Sequence, residues 1–77
     1  MIAHAKGDLE LASRAYERAI RRNPCDEHAL TWLGVIQAQT GNLNLAIANL
    51  SKALKANPLN VDALLNLGNA LLDNNQP

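Results

Sequence analysis

The sequence predicts an all-α protein built from antiparallel helix–turn–helix units that stack on one another. Three observations support this prediction: a composition rich in Leu and Ala, an internal repeat of 34 residues, and apolar residues at helical spacing within each repeat. Leucine supplies 14 and alanine 13 of the 77 residues, and both are strong helix formers. Phe is absent, and only Trp32 and Tyr16 are aromatic, so the composition favours packed helices over sheets.

The internal repeat is most visible where two segments end in the same way, "AIRRNPCD" at 19–26 and "ALKANPLN" at 53–60. When the sequence is shifted by 34 residues, 12 of the 43 overlapping positions are identical. Most of the identical residues are Gly, Pro, Ala or Leu, which set backbone shape and packing distance. A period of this length is typical of stacked supersecondary units, none of which buries its apolar face alone.

The complete unit, residues 27–60, contains two predicted helices. Asp26 is a good N-cap for the first helix, and Gly41 is well placed as the left-handed residue that ends it. Asn44 could cap the second helix, and Pro58 prevents that helix from continuing. Each unit is therefore predicted as helix, tight turn, helix and stop.

Partial units flank the complete one. Residues 1–26 form a partial repeat, in which residues 1–6 are the tail of a first helix and roughly 9–22 are its partner. Residues 61–77 supply the first helix of a further repeat. The prediction is thus a single domain over residues 1–77 with about five helices, including the partial terminal ones.

These motifs resemble the signature of the tetratricopeptide repeat family, W-x2-L-G-x2-Y, A-x3-F and P at a period of 34. The positions that match or replace the signature are Leu30, Leu33, Gly34, Gln37, Ala46, Leu50, Ala53 and Pro58. Leu30 replaces the usual Trp, Gln37 replaces the usual Tyr, and Asn75 stands at the place of the turn Gly. The resemblance extends over all 77 residues. It implies a short right-handed α-solenoid whose concave side, lined by first helices, usually binds partner peptides.

Charge and composition argue against several classes of function. Seven basic residues balance seven acidic ones, so the chain lacks the basic surface expected of a nucleic-acid-binding protein. No segment approaches the roughly 20 apolar residues that span a bilayer, and the N-terminal segment does not fit a secretory signal. The single cysteine cannot form an internal disulfide. We therefore expect a cytoplasmic protein without membrane insertion.

One cluster, Cys25, Asp26, Glu27 and His28, contains the residue types of a metal site or a nucleophile. Zinc normally needs four ligands, and His4 is the only other histidine. A Cys–His nucleophile would also need an orienting group and an oxyanion site. Because Asp26 already serves as a cap in the turn between repeats, we expect no catalytic residue, no metal and no cofactor. The chain is predicted not to be an enzyme.

A candidate partner-binding surface lies on the side of each first helix that faces away from Leu30 and Leu33. Trp32 lies about 200° around an ideal helix from Leu30, and an exposed Trp among amide and hydroxyl side chains suits an interface. Alternatively, Trp32 simply packs against a neighbouring helix. The predicted partner-binding residues are His28, Thr31, Trp32, Val35, Gln39, Asp62, Leu65, Asn66, Asn69 and Asp73.

The expected function is binding of a protein or peptide segment along this surface. The first helix of the complete unit offers no Lys or Arg there, unlike the clamp with which some family members hold a terminal carboxylate. Two alternatives stay open. One is a homo-oligomer formed through repeat ends that no polar helix caps. The other is a targeting arm of a larger enzyme, such as a glycosyltransferase, because Asn66 resembles the groove asparagines of repeats attached to such enzymes.

Overall fold

The computed structural model describes residues 6–75, which form four α-helices and contain no strand. Helix α1 spans Lys6–Arg22, α2 spans Glu27–Gln39, α3 spans Leu43–Ala56 and α4 spans Val61–Asn74. Each helix packs on the next one in the chain, and α2 also contacts α4. The prediction of an all-helical repeat stack is confirmed over these residues, with α2 and α3 at its centre.

Helix α1 begins at Lys6, three residues before the predicted start of this helix near residue 9. Lys6, which was predicted as the end of a preceding helix, is therefore part of α1. The rest of that segment, residues 1–5, lies outside the described residues. A fifth helix accordingly stays a prediction.

The predicted boundaries of α2 are confirmed. The Asp26 carboxylate accepts a hydrogen bond from the amide of Ala29 at 3.1 Å, which satisfies one of the free donors at the helix start. Beyond Thr40, Gly41 adopts a φ of 88°, in the left-handed region that glycine occupies without steric cost. The amide of Asn42 then donates to the carbonyl of Gln37 at 2.7 Å, which closes the turn into α3.

The prediction that Asn44 caps α3 is wrong. This helix begins at Leu43, so Asn44 lies within its first turn. The residue in the cap position is Asn42, whose side chain makes no capping hydrogen bond. The turn after Gly41 is shorter than expected, because α3 begins at Leu43, directly after Asn42.

The two Asn-Pro turns have the same local structure, as their sequence repeat predicts. In the first turn the side chain of Asn23 accepts a hydrogen bond from the Cys25 amide at 3.1 Å. In the second turn the side chain of Asn57 accepts one from the Leu59 amide, also at 3.1 Å. These turns end α1 and α3 and redirect the chain into α2 and α4.

The core lies between α2, α3 and α4, and it depends on a close approach of two helices. A Cβ atom added at Gly34 of α2 would lie 2.7 Å from Cγ of Leu50 on α3, closer than two carbon atoms can approach. Glycine at this position therefore lets α3 lie against the backbone of α2. The buried apolar residues are Ala29, Leu30, Leu33, Ile36, Ala46, Leu50, Ala53, Ala63 and Ala70.

Candidate partner-binding surface

The structure separates the ten predicted partner-binding residues into three groups by their exposure. Thr31 is buried. Three residues are partly buried, namely Trp32, Val35 and Asn66. Six are exposed, namely His28, Gln39, Asp62, Leu65, Asn69 and Asp73.

Thr31 does not lie on an open surface, since only 1% of it is exposed. Its hydroxyl donates to the carbonyl of Glu27 at 2.7 Å and accepts from the side-chain amide of Asn60 at 3.2 Å. Asn60 stands at the start of α4, so α4 covers the part of α2 that contains Thr31. In this packing Thr31 joins two helices and is unavailable to a partner, which corrects its predicted place on the surface.

Thr31 belongs to a polar cluster that no motif in the sequence indicated. The Glu27 carboxylate accepts hydrogen bonds from the side-chain amides of Asn57 at 2.9 Å and Asn60 at 2.8 Å. Asn60 also caps α4, because its side-chain oxygen accepts from the Ala63 amide at 2.9 Å. Hydrogen bonds to a charged group are stronger than those between neutral groups, so this cluster fixes the start of α2 against the start of α4.

Trp32 lies in an open groove of about 290 Å³ between α1 and α2. The edge-on ring of His28 adjoins it, with ring centroids 6.0 Å apart and planes at 68°. Trp32 is partly buried, so its indole is in part packed and in part accessible. The residues that line this groove are Asp8, Leu9, Ala12, Tyr16, Trp32, Val35, Ile36 and Gln39.

Helix α4 supplies the remaining predicted residues, none of which lines the groove around Trp32. The side chain of Asn66 donates to the carbonyl of Asp62 at 2.7 Å, which holds the amide along its own helix. Leu65 is 62% exposed and is the large apolar residue among these polar neighbours. The candidate surface therefore consists of an aromatic groove at α2 and a mainly polar strip on α4.

A larger groove lies on the other side of α1, and no motif in the sequence pointed to it. It has a volume of about 560 Å³ and faces the turn between α2 and α3. Its residues combine charged side chains of α1 with apolar side chains of α2 and α3. They are Leu9, Glu10, Ser13, Arg14, Glu17, Leu33, Ile36, Gln37, Thr40, Asn42 and Leu45. A pattern search along single helices misses such a groove because its two walls come from different repeats.

Two family models match this chain, described as "Tetratricopeptide repeat" over residues 2–48 and "TPR repeat" over residues 36–75. The first match alone covers more than half of the chain. The chain belongs to the tetratricopeptide repeat family. The resemblance inferred from the repeat signature is thereby confirmed, as is the expectation of a helical, protein-binding scaffold in general terms.

Several curated proteins are similar to this tetratricopeptide repeat chain. A peroxisomal targeting signal receptor of Yarrowia lipolytica is 41% identical over 63 residues, which is 79% of this chain and 10% of the receptor. An FK506-binding protein-like protein of Homo sapiens is 38% identical over 86% of this chain and 19% of its own length. The BBSome complex member BBS4 of Bos taurus is 33% identical over 86% of this chain and 13% of its own length. The chain thus spans about a tenth to a fifth of these relatives.

Two of the side chains that raised the question of chemistry, Asp26 and Glu27, have structural roles in this repeat. Asp26 caps α2 and Glu27 binds two asparagines, while Cys25 is exposed. Within residues 6–75 no group of three His, Cys, Asp or Glu side chains is placed to hold a metal ion. Over the same residues, every helix is too short or too polar to cross a membrane.

Proposed function

We propose that this repeat domain binds a segment of a partner protein without catalysing a reaction, and that it does so on the exposed side of its first helices. We call this side the first-helix surface. It comprises His28, Trp32, Val35, Gln39, Asp62, Leu65, Asn66, Asn69 and Asp73. The observation that supports the proposal most strongly is the partly accessible Trp32 in an open groove. Aromatic residues in such positions dominate the binding energy of many interfaces.

The chemistry of the first-helix surface favours a neutral or basic segment with an apolar anchor. The surface contains Asp62 and Asp73 but no Lys or Arg, so an acidic segment would meet like charge. The groove at Trp32 would accept the apolar side chain. The side chain of Asn69 is exposed and can both donate to and accept from an extended backbone.

The family supports a role in protein interaction, since tetratricopeptide repeats are generally non-catalytic scaffolds. The Yarrowia relative is, by its name, a receptor for a targeting signal, which supports recognition of a short segment. A rigid scaffold also suits this role. The hydrogen bonds of Glu27 and Thr31 to Asn60 hold α2 and α4 in a fixed relation, so little ordering of the domain is needed on binding.

The experiment begins with selection of peptides from a random displayed library on the unaltered chain. The affinity of a selected peptide is then measured for Trp32→Ala, Asn69→Ala and the control Leu59→Ala, whose residue is 85% exposed in the turn before α4. We expect Trp32→Ala to weaken binding by about 30-fold, since a truncated anchor costs roughly 2 kcal/mol. Asn69→Ala should weaken it less, and Leu59→Ala should leave it unchanged.

Circular dichroism checks that the helices survive each substitution. Equal affinity of all three variants for the selected peptide would contradict the proposal, as would a peptide whose contacts map to the larger groove at Arg14 and Leu45.

A further inference from the structure

The charges of the chain are divided unevenly between its two kinds of helix. All seven Lys and Arg residues lie on the second helices of the repeats, five on α1 and two on α3. These two helices contain three acidic residues in all, and each of the three is on α1. The first helices, α2 and α4, contain one and two acidic residues and no Lys or Arg. The net charge of zero therefore hides a positive excess on the second helices.

Four of these cations form a surface that we call the outer patch. They are Arg18 and Arg21 on α1, and Lys52 and Lys55 on α3. All four residues are exposed. Arg18 and Lys52 occupy the same position of the 34-residue repeat, and so do Arg21 and Lys55. The two helices thus present the same pair of cations.

The packing of the repeats directs all four cations to one side of the stack. Lys52 and Lys55 each follow a fully buried residue of α3, Leu50 and Ala53, by two positions, which is about 200° around a helix. The cations of α1 have the same register. Because short turns join α1 to α2 and α2 to α3, α1 and α3 run in the same direction. They also form the two walls of the larger groove, with residues of α2 between them, so both pairs of cations point away from α2.

Neighbouring repeats leave the outer patch open. The repeat formed by α2 and α3 packs after α1, and the same contact places α1 before α3. The equivalent cations are exposed on both helices, so a repeat on either side does not cover these positions. The patch also lies in the C-terminal halves of the helices, where Arg18 follows the first residue of α1 by 12 positions.

The acidic residues of α1 do not neutralise the patch. Glu17 lies four residues before Arg21 and can pair with it along the helix. In contrast, the positions three and four residues away from Arg18, Lys52 and Lys55 contain no acidic residue. These three cations therefore have no carboxylate partner at helical spacing on their own helix, and an incoming carboxylate has no such partner to displace.

We propose that the outer patch binds an acidic segment of a partner protein, which carries its negative charge on Asp and Glu side chains. Each exposed cation can pair with one carboxylate of such a segment. The first-helix surface disfavours the same segment, because it contains Asp62 and Asp73 but no Lys or Arg. The domain thus has two surfaces of opposite charge, which can hold two different partners at the same time.

The residues beside the patch favour a short acidic segment over a nucleic acid or an anionic membrane. Glu10 and Glu17 line the larger groove between α1 and α3, so a phosphate backbone or a lipid surface that extended along α1 would meet two carboxylates. A protein segment avoids this repulsion, because its acidic residues are confined to the positions that contact the cations. The chain as a whole also lacks the net positive charge that attracts a long polyanion.

The probe for this surface is a synthetic peptide in which Glu and Ala alternate and both termini are blocked, so that only side chains are charged. A matched peptide has Gln in place of each Glu. The variant Arg18→Gln/Lys52→Gln removes one cation from each helix and retains good helix formers. The control variant Gln39→Glu/Asn69→Asp lowers the net charge by the same amount at exposed positions of α2 and α4. Calorimetry at low ionic strength, where exposed charges are least screened, gives the affinities.

We expect the Glu peptide to bind the unaltered chain about tenfold more tightly than the Gln peptide does. The variant Arg18→Gln/Lys52→Gln should lose about fivefold to tenfold in affinity, because two exposed ion pairs are removed. The control variant should stay within about twofold of the unaltered chain, since its new charges are distant and screened. Trp32→Ala should leave the affinity for the Glu peptide unchanged, which distinguishes this surface from the first-helix surface. Circular dichroism should show equal helicity throughout.

Three results would overturn the proposal. Equal weakening by the two double variants would reduce the effect to net charge, and equal affinity for the Glu and Gln peptides would exclude carboxylate recognition. The third result is a single-stranded oligonucleotide, or a vesicle containing phosphatidylserine, that binds more tightly than the Glu peptide and depends on Arg18 and Lys52. That result would show that the outer patch binds phosphates instead.

Discussion

Leu30 and Leu64 occupy the same position of the repeat on α2 and α4, yet 1% of Leu30 and 58% of Leu64 is exposed. The residues are identical and both helices are intact, so neither composition nor helix propensity accounts for the difference. Helix α2 has α3 against this side, while no described helix lies against the same side of α4. The comparison shows that in a repeat protein the neighbouring helix, more than the residue type, decides whether an apolar side chain is buried in the core or exposed at the surface.

The largest effect expected from this comparison is on stability. Leu30→Ala removes side-chain contacts from the centre of the stack and should lower the free energy of unfolding by about 2–5 kcal/mol. Leu64→Ala makes the same change where little apolar area is buried, so we expect a loss within about 1 kcal/mol. Urea denaturation of both variants and of the unaltered chain measures the two values. Equal losses in the free energy of unfolding would contradict the claim that Leu30 stabilises the stack more than Leu64 does.

The next effect has opposite signs at the two equivalent glycines. Gly34→Ala would force its Cβ to within 2.7 Å of Leu50 and 3.3 Å of the Ala46 carbonyl, so we expect a loss of about 1–3 kcal/mol. Gly68→Ala meets nothing within 4 Å and should raise stability by about 0.5–1 kcal/mol, because alanine favours helix over glycine. Thermal melts at low concentration show the sign directly. A stabilising Gly34→Ala would show that α2 and α3 can move apart easily.

The smallest effect concerns the polar cluster at the start of α2. Glu27→Ala leaves the side-chain amide of Asn57 without its acceptor, and that of Asn60 with the Thr31 hydroxyl alone. The change should cost about 1–2 kcal/mol. Val61 occupies the same repeat position at the start of α4 and is exposed, so Val61→Ala should change stability by less than about 0.5 kcal/mol. Chemical denaturation measures the free energy of unfolding of both variants. An unchanged value for Glu27→Ala would show that this cluster does not stabilise the contact between repeats.

Local features of the fold were predictable from the sequence. The cap at Asp26, the left-handed Gly41 and the stop at Pro58 depend on residues within one turn, so their sequence signals are sufficient. The error at Asn44 has the same local origin. Two asparagines, Asn42 and Asn44, flank the helix start, and propensity alone does not choose between them.

Contacts between repeats were not predictable in the same way. Helical periodicity places Thr31 beside Trp32, but only the position of α4 shows that Thr31 is buried. The cluster at Glu27 joins residues 30 and 33 positions apart, and the larger groove has walls from different repeats. Each depends on how one unit lies on the next, which the pattern of a single helix does not encode.

The most direct test of the proposed binding surface is the fluorescence of Trp32, the only tryptophan in the chain. The measurement is a titration of a selected peptide into the unaltered chain. If the peptide covers the groove at Trp32, the emission shifts to shorter wavelength and saturates at the stoichiometry of one peptide per chain. An emission spectrum that stays unchanged while calorimetry shows the peptide bound would contradict binding at the first-helix surface around Trp32.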